Sequence, residues 1–410
     1  MNKKNASEVI ASIKKQDIPV VIFGVGIVGE VMFYACKDAG IEVQCFCDNN
    51  INKTSSLKCG IEVVHTPSLK YKFGDAIFLI SSADIKDVIS QLDKLGFRKW
   101  HDCGFLLKGF DLSKHQYSAP PDFAEYAVST CILCHDSYLN PEKLFMRSVD
   151  IIITERCSLK CKDCSNLMQY YMKPSDCGTD DIMKTIDQFL LVVDEVNEFR
   201  VIGGEPFMNK NWPEIIKKLN AEKKVRKVVI YTNGTISPSV DNLDCLSNRK
   251  VLVLITDYGK LSRNIGKMSE LFDRNGIAYY VQKAHGWTNC SAITPHQRSV
   301  EEQCNLFAEC CARNTCTLSD GKLFRCPFAA NAARLHALPD FKGDYVALAL
   351  RRGMKTALKS KKLKIRAFIY GKSYLDSCDY CNGRVFGAPE IAPAIQTKQP
   401  IGYKVYPWKK

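Results

Sequence analysis

The sequence predicts an α/β fold in three parts: an amino-terminal parallel sheet, a strand–helix series that curves into a partial barrel, and a small cysteine-rich module. Residues 1–110 and 147–300 alternate short apolar runs with helical patterns, an order typical of parallel sheets with crossover helices. Residues 301–388 have little regular pattern and are rich in cysteine. At 410 residues, the chain is also longer than one hydrophobic core usually organises.

The amino-terminal sheet is predicted from three apolar runs in residues 1–110. Pro19-VVIFGVG is typical of a buried strand that enters a glycine-rich turn, and a helix is expected over 28–39. Ile41-EVQCFCDNN predicts a second strand and Ala76-IFLISS a third, followed by a helix over 84–95. Residues 111–146 contain Pro120-Pro121 and predict a linker and a bridging helix.

Five further strand–helix units follow in residues 147–300 and indicate a parallel, barrel-like sheet. The predicted strands are Ser148-VDIIIT, Phe199-RVIGG, Lys227-VVIYTNG, Lys250-VLVLITDYG and Ile277-AYYVQ. In residues 301–388, Thr317-LSDGKLFRCP predicts a hairpin that turns at Asp320-Gly321. The proline-punctuated tail, residues 389–410, is expected to cover a surface.

Composition limits the class of protein. Apolar residues make up 46% and charged residues 25% of the chain, as in ordinary globular proteins. No apolar run approaches the ~18 residues that span a bilayer, and the basic start lacks the apolar core of a secretory signal, so we expect a cytoplasmic protein without a membrane span. The net charge of +13 includes a basic stretch from Arg351 to Arg366. Because no aromatic residues alternate with that basic run, a solvated helix face is favoured over nucleic-acid binding.

Twenty cysteines are unexpected in such a chain. In a reducing compartment, clustered cysteines more often bind metal, whereas isolated ones are usually small buried residues. We therefore interpret the isolated cysteines as packing residues, together with the unpaired CxxC of Cys131 and Cys134. The isolated cysteines are Cys36, Cys45, Cys59, Cys103 and Cys245.

The cluster Cys157-SLK-Cys161-KD-Cys164 directly follows the first barrel strand. A rigid strand end supports a loop that can wrap thiolates around one metal centre. Zinc is an alternative, but a structural zinc site takes four ligands in tetrahedral geometry. Three cysteines leave one position of an iron–sulfur cluster without a protein ligand, which is useful for chemistry rather than for structure.

Residues 154–166, TERCSLKCKDCSN, resemble the radical S-adenosylmethionine (SAM) superfamily. The resemblance implies that Cys157, Cys161 and Cys164 hold a 4Fe-4S cluster whose open iron chelates the amino and carboxylate groups of SAM. It also implies reductive cleavage of SAM to a 5′-deoxyadenosyl radical that takes a hydrogen atom from the substrate. In this view the cofactor carries the difficult step and the protein orients the substrate.

Motifs at later strand ends extend the resemblance. Gly203-Gly204-Glu205-Pro206 matches the family's GGEP motif, which meets the methionine amino group of SAM. Thr232-Asn233-Gly234 stands where the family places a ribose contact, and Asp257-Tyr258-Gly259 ends the next strand. Carboxyl ends of parallel strands are where barrels carry their active residues. The sequence departs from the family at Asp163, where an aromatic residue usually packs on adenine.

The cysteine-rich module resembles the twitch or SPASM extensions of radical SAM enzymes. The pattern CX9GX4C from Cys311 through Gly321 to Cys326, then CX2C at Cys378 and Cys381, carries this resemblance. It implies one auxiliary 4Fe-4S cluster on four thiolates, in a twitch-like module. Cys310 or Cys316 could replace Cys311, and a zinc ribbon is the alternative.

The amino-terminal glycine turn, Gly24-V-Gly26-IV-Gly29, has the dinucleotide-binding form, and Asp48 ends the second strand where a ribose-binding acid is expected. The stretch resembles the Rossmann-like domain of sugar-nucleotide acetyltransferases, which implies a nucleotide or nucleotide-sugar site. The alternative is a domain that only packs and positions.

These features predict a radical SAM oxidoreductase or isomerase. Its substrate would be a small molecule, a sugar or nucleotide-linked sugar of polysaccharide or related biosynthesis, and flavodoxin or ferredoxin would donate electrons. The first alternative is a peptide-modifying radical SAM enzyme. The second is a zinc-containing NAD-dependent dehydrogenase. The sequence assigns no side chain as a catalytic acid, base or hydrogen-atom donor.

Overall fold

The computed structural model describes residues 6–54, 56–350, 354–385 and 387–408. Its internal contacts divide the chain into two compact units, Met1–Phe145 and Met146–Lys410. Arg351 and Arg352, which begin the basic stretch, lie outside the described residues. Within the described chain, no helix has the length and hydropathy needed to cross a membrane.

The first unit contains a mostly parallel sheet in the order β3-β4-β2-β1-β5-β6. Its strands are β1 Val20–Phe23, β2 Cys45–Asp48, β3 Leu57–Lys58, β4 Ile61–His65, β5 Ile77–Ile80 and β6 Lys99–His101. Its helices are α1 Ala6–Lys14, α2 Ile27–Asp38, α3 Leu69–Lys72, α4 Ile85–Lys94, α5 Gly104–Leu107 and α6 Pro121–Leu139, with short 3-10 turns at Ile51–Lys53, Thr66–Ser68 and Leu112–Lys114.

The central strands are apolar runs because helices and loops cover both faces of the sheet. All four residues of β1 and of β5 are buried. The predicted parallel pairing of β1 with β2 and with β5 is confirmed. The sequence prediction missed the antiparallel hairpin of β3 and β4, whose first strand has only two residues and too little pattern to detect.

The second unit contains one long sheet in the order β12-β11-β10-β9-β8-β13-β14-β15. Its strands are β8 Val149–Thr154, β9 Glu195–Gly203, β10 Val225–Thr232, β11 Val251–Asp257, β12 Tyr279–Lys283, β13 Cys316–Ser319, β14 Lys322–Phe324 and β15 Tyr345–Ala347, and β7, Phe145–Met146, lies at the division between the units. Its helices are α7 Thr179–Val192, α8 Trp212–Ala221, α9 Ile265–Arg274, α10 Val300–Glu309, α11 Pro327–Arg334 and α12 Met354–Gly371, with 3-10 turns at Met168–Tyr170, Pro206–Met208, Val240–Cys245, Gly259–Leu261 and Asp376–Asp379.

The five predicted barrel strands are present as β8 to β12, and all of their pairings are parallel. The predicted hairpin is also confirmed, with Asp320 and Gly321 both at positive φ in its turn. Strand β13 pairs in parallel with β8, so the sheet continues from the barrel strands into the cysteine-rich segment. The first barrel strand therefore lies between the second barrel strand and the hairpin.

Candidate active site

The loop after β8 carries the three clustered cysteines, and the end of β9 packs directly against it. The backbone N–H of Gly204 donates to the carbonyl of Thr154 at 2.9 Å, and that of Glu205 donates to the carbonyl of Arg156 at 2.8 Å. A Cβ atom on Gly204 would lie 2.1 Å from the Arg156 carbonyl oxygen. Glycine is therefore required where the GGEP segment meets the cysteine loop.

Glu205 links the ends of two neighbouring strands. Its carboxylate is fully buried and accepts hydrogen bonds from the backbone N–H of Asn233 at 2.8 Å and of Phe207 at 3.2 Å. Burial raises the pKa of Glu205 to about 7. The Asn233 side-chain amide in turn lies 3.6 Å from Cys157 Sγ and 3.2 Å from Ser158 Oγ. The structure thus brings the GGEP and TNG motifs to the cysteine loop, as the sequence predicts.

The three clustered thiols are mostly shielded from water. Burial raises the pKa of Cys161 to about 11 and also raises the pKa values of Cys157 and Cys164. Such thiols keep their protons at neutral pH unless a metal centre binds and displaces those protons. The donor set therefore suits thiolate ligands that form only when a metal centre binds.

The distances between the cysteine sulfur atoms help to distinguish an iron–sulfur cluster from a single metal ion as the bound group. With Zn–S bonds near 2.3 Å, tetrahedral ligands of one zinc lie roughly 3.8 Å apart. Among the described residues, only one trio of potential ligands has all its atoms within 4.8 Å of one another: Cys103, Cys131 and His135. The cysteine loop is wider than a single zinc ion requires, which suits an iron–sulfur cluster.

A cavity of about 420 Å³ opens beside the cysteine loop. It is lined by the three clustered cysteines, Gly203, Gly204, Asn233, Tyr258 and Trp287. Asp150, Arg200, Tyr231, Cys311 and Arg384 line it as well. The rings of Tyr258 and Trp287 meet edge to face, 5.9 Å between centroids, and pack with the cysteine loop. These aromatic residues stand near the cysteines although position 163 is an aspartate.

A second, smaller cavity lies between α10, α11 and the 3-10 turn at Asp376–Asp379. Its cysteines are Cys310, Cys326, Cys378 and Cys381. The sequence prediction had Cys311 in this set with Cys310 or Cys316 as alternatives; the structure places Cys310 on this cavity and Cys311 on the larger one. Cys310 has extended backbone, in which neighbouring side chains point to opposite sides. Cys316 is buried on β13 opposite Val149 and does not line the smaller cavity.

The tail crosses the cysteine loop, in agreement with its predicted role as a cover. The N–H of Lys162 donates to the carbonyl of Ile395, and the N–H of Thr397 donates to the carbonyl of Lys160, both at 2.7 Å. Ala394 is buried against Leu159 and Cys161. The loop is therefore held both by the GGEP segment and by a short stretch of paired backbone in the tail.

In the first unit, the glycine turn lies beside Asp48. The N–H of Val25 donates to the Asp48 carboxylate at 3.3 Å. A Cβ atom on Gly29 would lie 2.1 Å from the carbonyl oxygen of Gly24, whereas one on Gly26 would meet no atom within 4 Å. The turn is thus closed on its strand side and open at Gly26, where α2 begins.

The comparison with family models decides the class of the barrel segment. Residues 151–255 match the Radical SAM superfamily. The resemblance predicted from the cysteine motif is confirmed for this segment, which runs from β8 to β11. A match to the radical SAM superfamily implies a 4Fe-4S cluster and SAM as cofactors.

Relatives of the radical SAM segment include the protein named GTP 3',8-cyclase in two bacteria. The Synechocystis protein is 27% identical over 131 residues, which are 32% of this chain and 38% of the relative. The Stenotrophomonas maltophilia protein is 33% identical over 87 residues, which are 21% of this chain and 26% of the relative. The chain therefore spans well under half the length of these curated relatives.

Solved structures show weaker likeness. The structure of BtrN in complex with AdoMet and 2-DOIA has a TM-score of 0.38 and 12% identity, covering 59% of this chain and 94% of BtrN. SuiB of Streptococcus suis bound to S-adenosylmethionine has a TM-score of 0.30 and 13% identity, covering 50% and 46% of the two chains.

The first unit also holds a cysteine pair that the sequence did not predict. Cys103 and Cys131, interpreted as separate packing residues, have their Sγ atoms 3.6 Å apart beside His135. The backbone N–H of Cys103 donates to His135 Nδ1 at 3.0 Å, and His135 Nε2 lies 2.7 Å from the carbonyl of Ser82. Both ring nitrogens are thus engaged within the protein, so the trio is a hydrogen-bonded part of the core. Only contacts between distant residues reveal it.

Proposed function

We propose that the chain is a radical SAM enzyme that oxidises or isomerises a sugar or nucleotide-linked sugar. One observation carries the proposal: a single cavity is lined by the three clustered cysteines and also by the Cys311 and Arg384 segment that borders the second cysteine set. A cavity of about 420 Å³ also falls within the range typical of small-molecule sites.

The cysteine loop would hold the SAM-binding cluster through Cys157, Cys161 and Cys164. When bound, that cluster would supply the electron that cleaves SAM to methionine and a 5′-deoxyadenosyl radical, which abstracts hydrogen. The chain's own residues shape the site around it. Gly203 and Gly204 form part of the cavity wall. Glu205 lies behind that wall and accepts a hydrogen bond from the backbone of Asn233. Tyr258 and Trp287 offer an apolar surface for a nucleoside.

The second cysteine set would hold an auxiliary cluster through Cys310, Cys326, Cys378 and Cys381, since four thiolates are enough to close one cluster. Oxidation of an alcohol carbon removes two electrons and two protons from the substrate. One hydrogen atom goes to the 5′-deoxyadenosyl radical. The remaining electron needs an acceptor next to the cavity, and the remaining proton goes to solvent. An auxiliary cluster held by the neighbouring cysteine set would be that acceptor, which favours oxidation.

Two further features support a nucleotide as part of the reaction. The relatives of the radical SAM segment are named for a reaction of GTP. The open position at Gly26 leaves room for a pyrophosphate at the start of α2 in the first unit. An external reductant such as flavodoxin or ferredoxin would supply the electron for SAM cleavage.

The test is anaerobic incubation of the iron-loaded protein with SAM, dithionite and deuterated sugars or nucleotide sugars. We expect deuterium in 5′-deoxyadenosine, and none with Cys157→Ala. Metal analysis should give about eight irons and eight sulfides per chain, the content of two 4Fe-4S clusters. Zinc without iron would contradict radical chemistry, and label transfer from a peptide but from no sugar would contradict the substrate class.

A further inference from the structure

The guanidinium of Arg384 lies on the wall of the larger cavity, and none of its N–H donors has an acceptor among the described residues. Its side chain is half-buried and forms no hydrogen bond or ion pair with any described residue of the chain. Its charge interacts with Cys290, Cys311, Cys310 and Cys326, and with Asp150, whose carboxylate is already paired with Arg200. The N–H donors of Arg384 therefore remain available to a group that the protein itself does not supply.

The other arginine of the cavity is already neutralised. Arg200 Nε lies 2.5 Å from the buried carboxylate of Asp150 and 3.9 Å from Glu198. Its guanidinium carbon lies 5.9 Å from the centre of the Tyr231 ring. Arg200 thus forms an ion pair with a carboxylate, whereas the side chain of Arg384 forms no hydrogen bond or ion pair with a described residue.

The backbone around Arg384 is fixed by the second cysteine set. The N–H of Cys311 donates to the carbonyl of Arg384 at 2.8 Å, and Val385 forms a β-bridge with Cys310. The N–H of Gly383 donates to Cys381 Sγ at 3.2 Å. The backbone of such a segment is pre-organised, so an anion that binds Arg384 has to order only the side chain.

The guanidinium faces the larger cavity, whereas Arg313 is the arginine that lines the smaller cysteine cavity. The charge of Arg384 also acts on Cys310 and Cys326 of the second cysteine set, so iron content is a necessary check on its variants. The rigid fork of an arginine matches the paired oxygens of a phosphate or a carboxylate.

We propose that Arg384 binds an anionic group of the substrate, a phosphate or a carboxylate, and so restricts the enzyme to anionic substrates. This inference rests on the proposed function in one respect, that the larger cavity is the substrate site. It adds the substrate's charge class: a nucleotide-linked sugar, a sugar phosphate or a sugar acid binds, and a neutral sugar does not.

The test is calorimetric titration of the iron-loaded protein with SAM present, using inorganic pyrophosphate, glucuronate and glucose as probes. We expect at least one of the two anions to bind. Arg384→Gln should weaken that binding about tenfold or more, because it removes one charge-assisted hydrogen bond. Pyrophosphate and glucuronate distinguish a phosphate site from a carboxylate site. Arg384→Lys should retain part of the affinity because it keeps the charge.

Arg263→Gln is the matched control, since Arg263 is exposed and does not line the cavity. Iron content should be equal in all variants, which separates loss of the anion from loss of a cluster. Equal anion binding by Arg384→Gln and wild type, or binding of neither anion by wild type, would overturn the inference.

Label transfer separates this inference from the proposed function. Anion binding that depends on Arg384, without label transfer from any sugar, would leave the anion site standing and overturn the sugar chemistry. Label transfer from neutral sugars as efficient as from sugar phosphates would leave the sugar chemistry standing and overturn the anion site.

Discussion

Gln396 donates a hydrogen bond from its side-chain Nε2 to the Sγ atom of Cys161, 3.4 Å away. The same amide accepts a hydrogen bond from the backbone N–H of Lys160 at 2.7 Å through its Oε1 atom. The side chain is thus oriented by the loop that it touches. A donor held against a cluster ligand reduces the negative charge on sulfur, which favours the reduced state of an iron–sulfur cluster.

Replacing Gln396 with leucine should therefore lower the midpoint potential of the SAM-binding cluster. Leucine keeps similar bulk but removes the N–H donor, so the additional electron is less stabilised. A redox titration followed by electron paramagnetic resonance measures the potential, with iron content as a check on loading. Thr397→Val is the control because it leaves the backbone pairing with Lys160 intact. Equal potentials in Gln396→Leu and wild type would contradict the expectation.

Cys310 and Cys311 allow a sharp test of the auxiliary site, because they are adjacent in sequence but line different cavities. We expect Cys310→Ser to lose the auxiliary cluster, about four of the eight irons, and Cys311→Ser to retain it. Iron and sulfide analysis with Mössbauer spectra would measure both variants. The reverse result would restore the ligand set predicted from sequence.

Glu205 should make stability depend on pH. Its pKa is raised from 4.5 to about 7 by burial, so the native carboxyl keeps its proton over a range where the unfolded chain has lost it. The stabilisation is complete below about pH 4.5 and is lost as pH rises to about 7.

We expect the free energy of unfolding of the iron-free chain to fall by up to roughly 3 kcal/mol across that window on account of Glu205. Glu205→Gln should remove this part of the decline, because the amide does not titrate. Urea unfolding at pH 5 and pH 8 measures it. Glu270→Gln is the control, since that side chain is 73% exposed. Identical pH profiles for wild type and Glu205→Gln would contradict the burial argument.

Replacing Gly29 or Gly26 of the first unit with alanine should have very different effects on stability. Gly29→Ala places a methyl group on the Gly24 carbonyl and should lower stability by about 1–3 kcal/mol or more. Gly26→Ala places it in open space and should change stability by less than about 1 kcal/mol. We also expect Gly26→Ala to abolish binding of UDP-glucose to this unit, because the methyl group would occupy the predicted pyrophosphate position.

Thermal unfolding and calorimetry would check both glycine variants. Retention of UDP-glucose affinity in Gly26→Ala would place any nucleotide elsewhere. Loss of stability in Gly26→Ala would show that the turn is closed there too.

The sequence predicted the parts of the fold that depend on local pattern. Strands β9 and β10 lead directly into the GGEP and TNG motifs, so the position of Glu205 next to Asn233 follows from their parallel pairing. The contact between Gln396 and Cys161 could not be predicted in the same way. It joins residues 235 positions apart through a segment without regular structure, and neither partner has a periodic pattern.

The exchange of Cys310 for Cys311 has a different origin. Spacing rules treat adjacent cysteines as equivalent, whereas the direction of each side chain depends on the backbone torsion at Cys310 and on the β-bridge to Val385. Similarly, Cys103 and Cys131 look isolated in the sequence because their contact depends on how a helix packs on the sheet.

The pairing of the tail with the cysteine loop also has a consequence for biosynthesis. The ribosome must add 235 residues after Cys161 before Gln396 exists, which takes on the order of tens of seconds at ordinary elongation rates. Throughout that interval the loop is not yet paired with the tail. A carrier protein can then approach the three thiols from the side that Ile395 and Thr397 later occupy. Cluster delivery during translation would thus meet a loop without its tail, whereas delivery after release would meet a loop already paired with it.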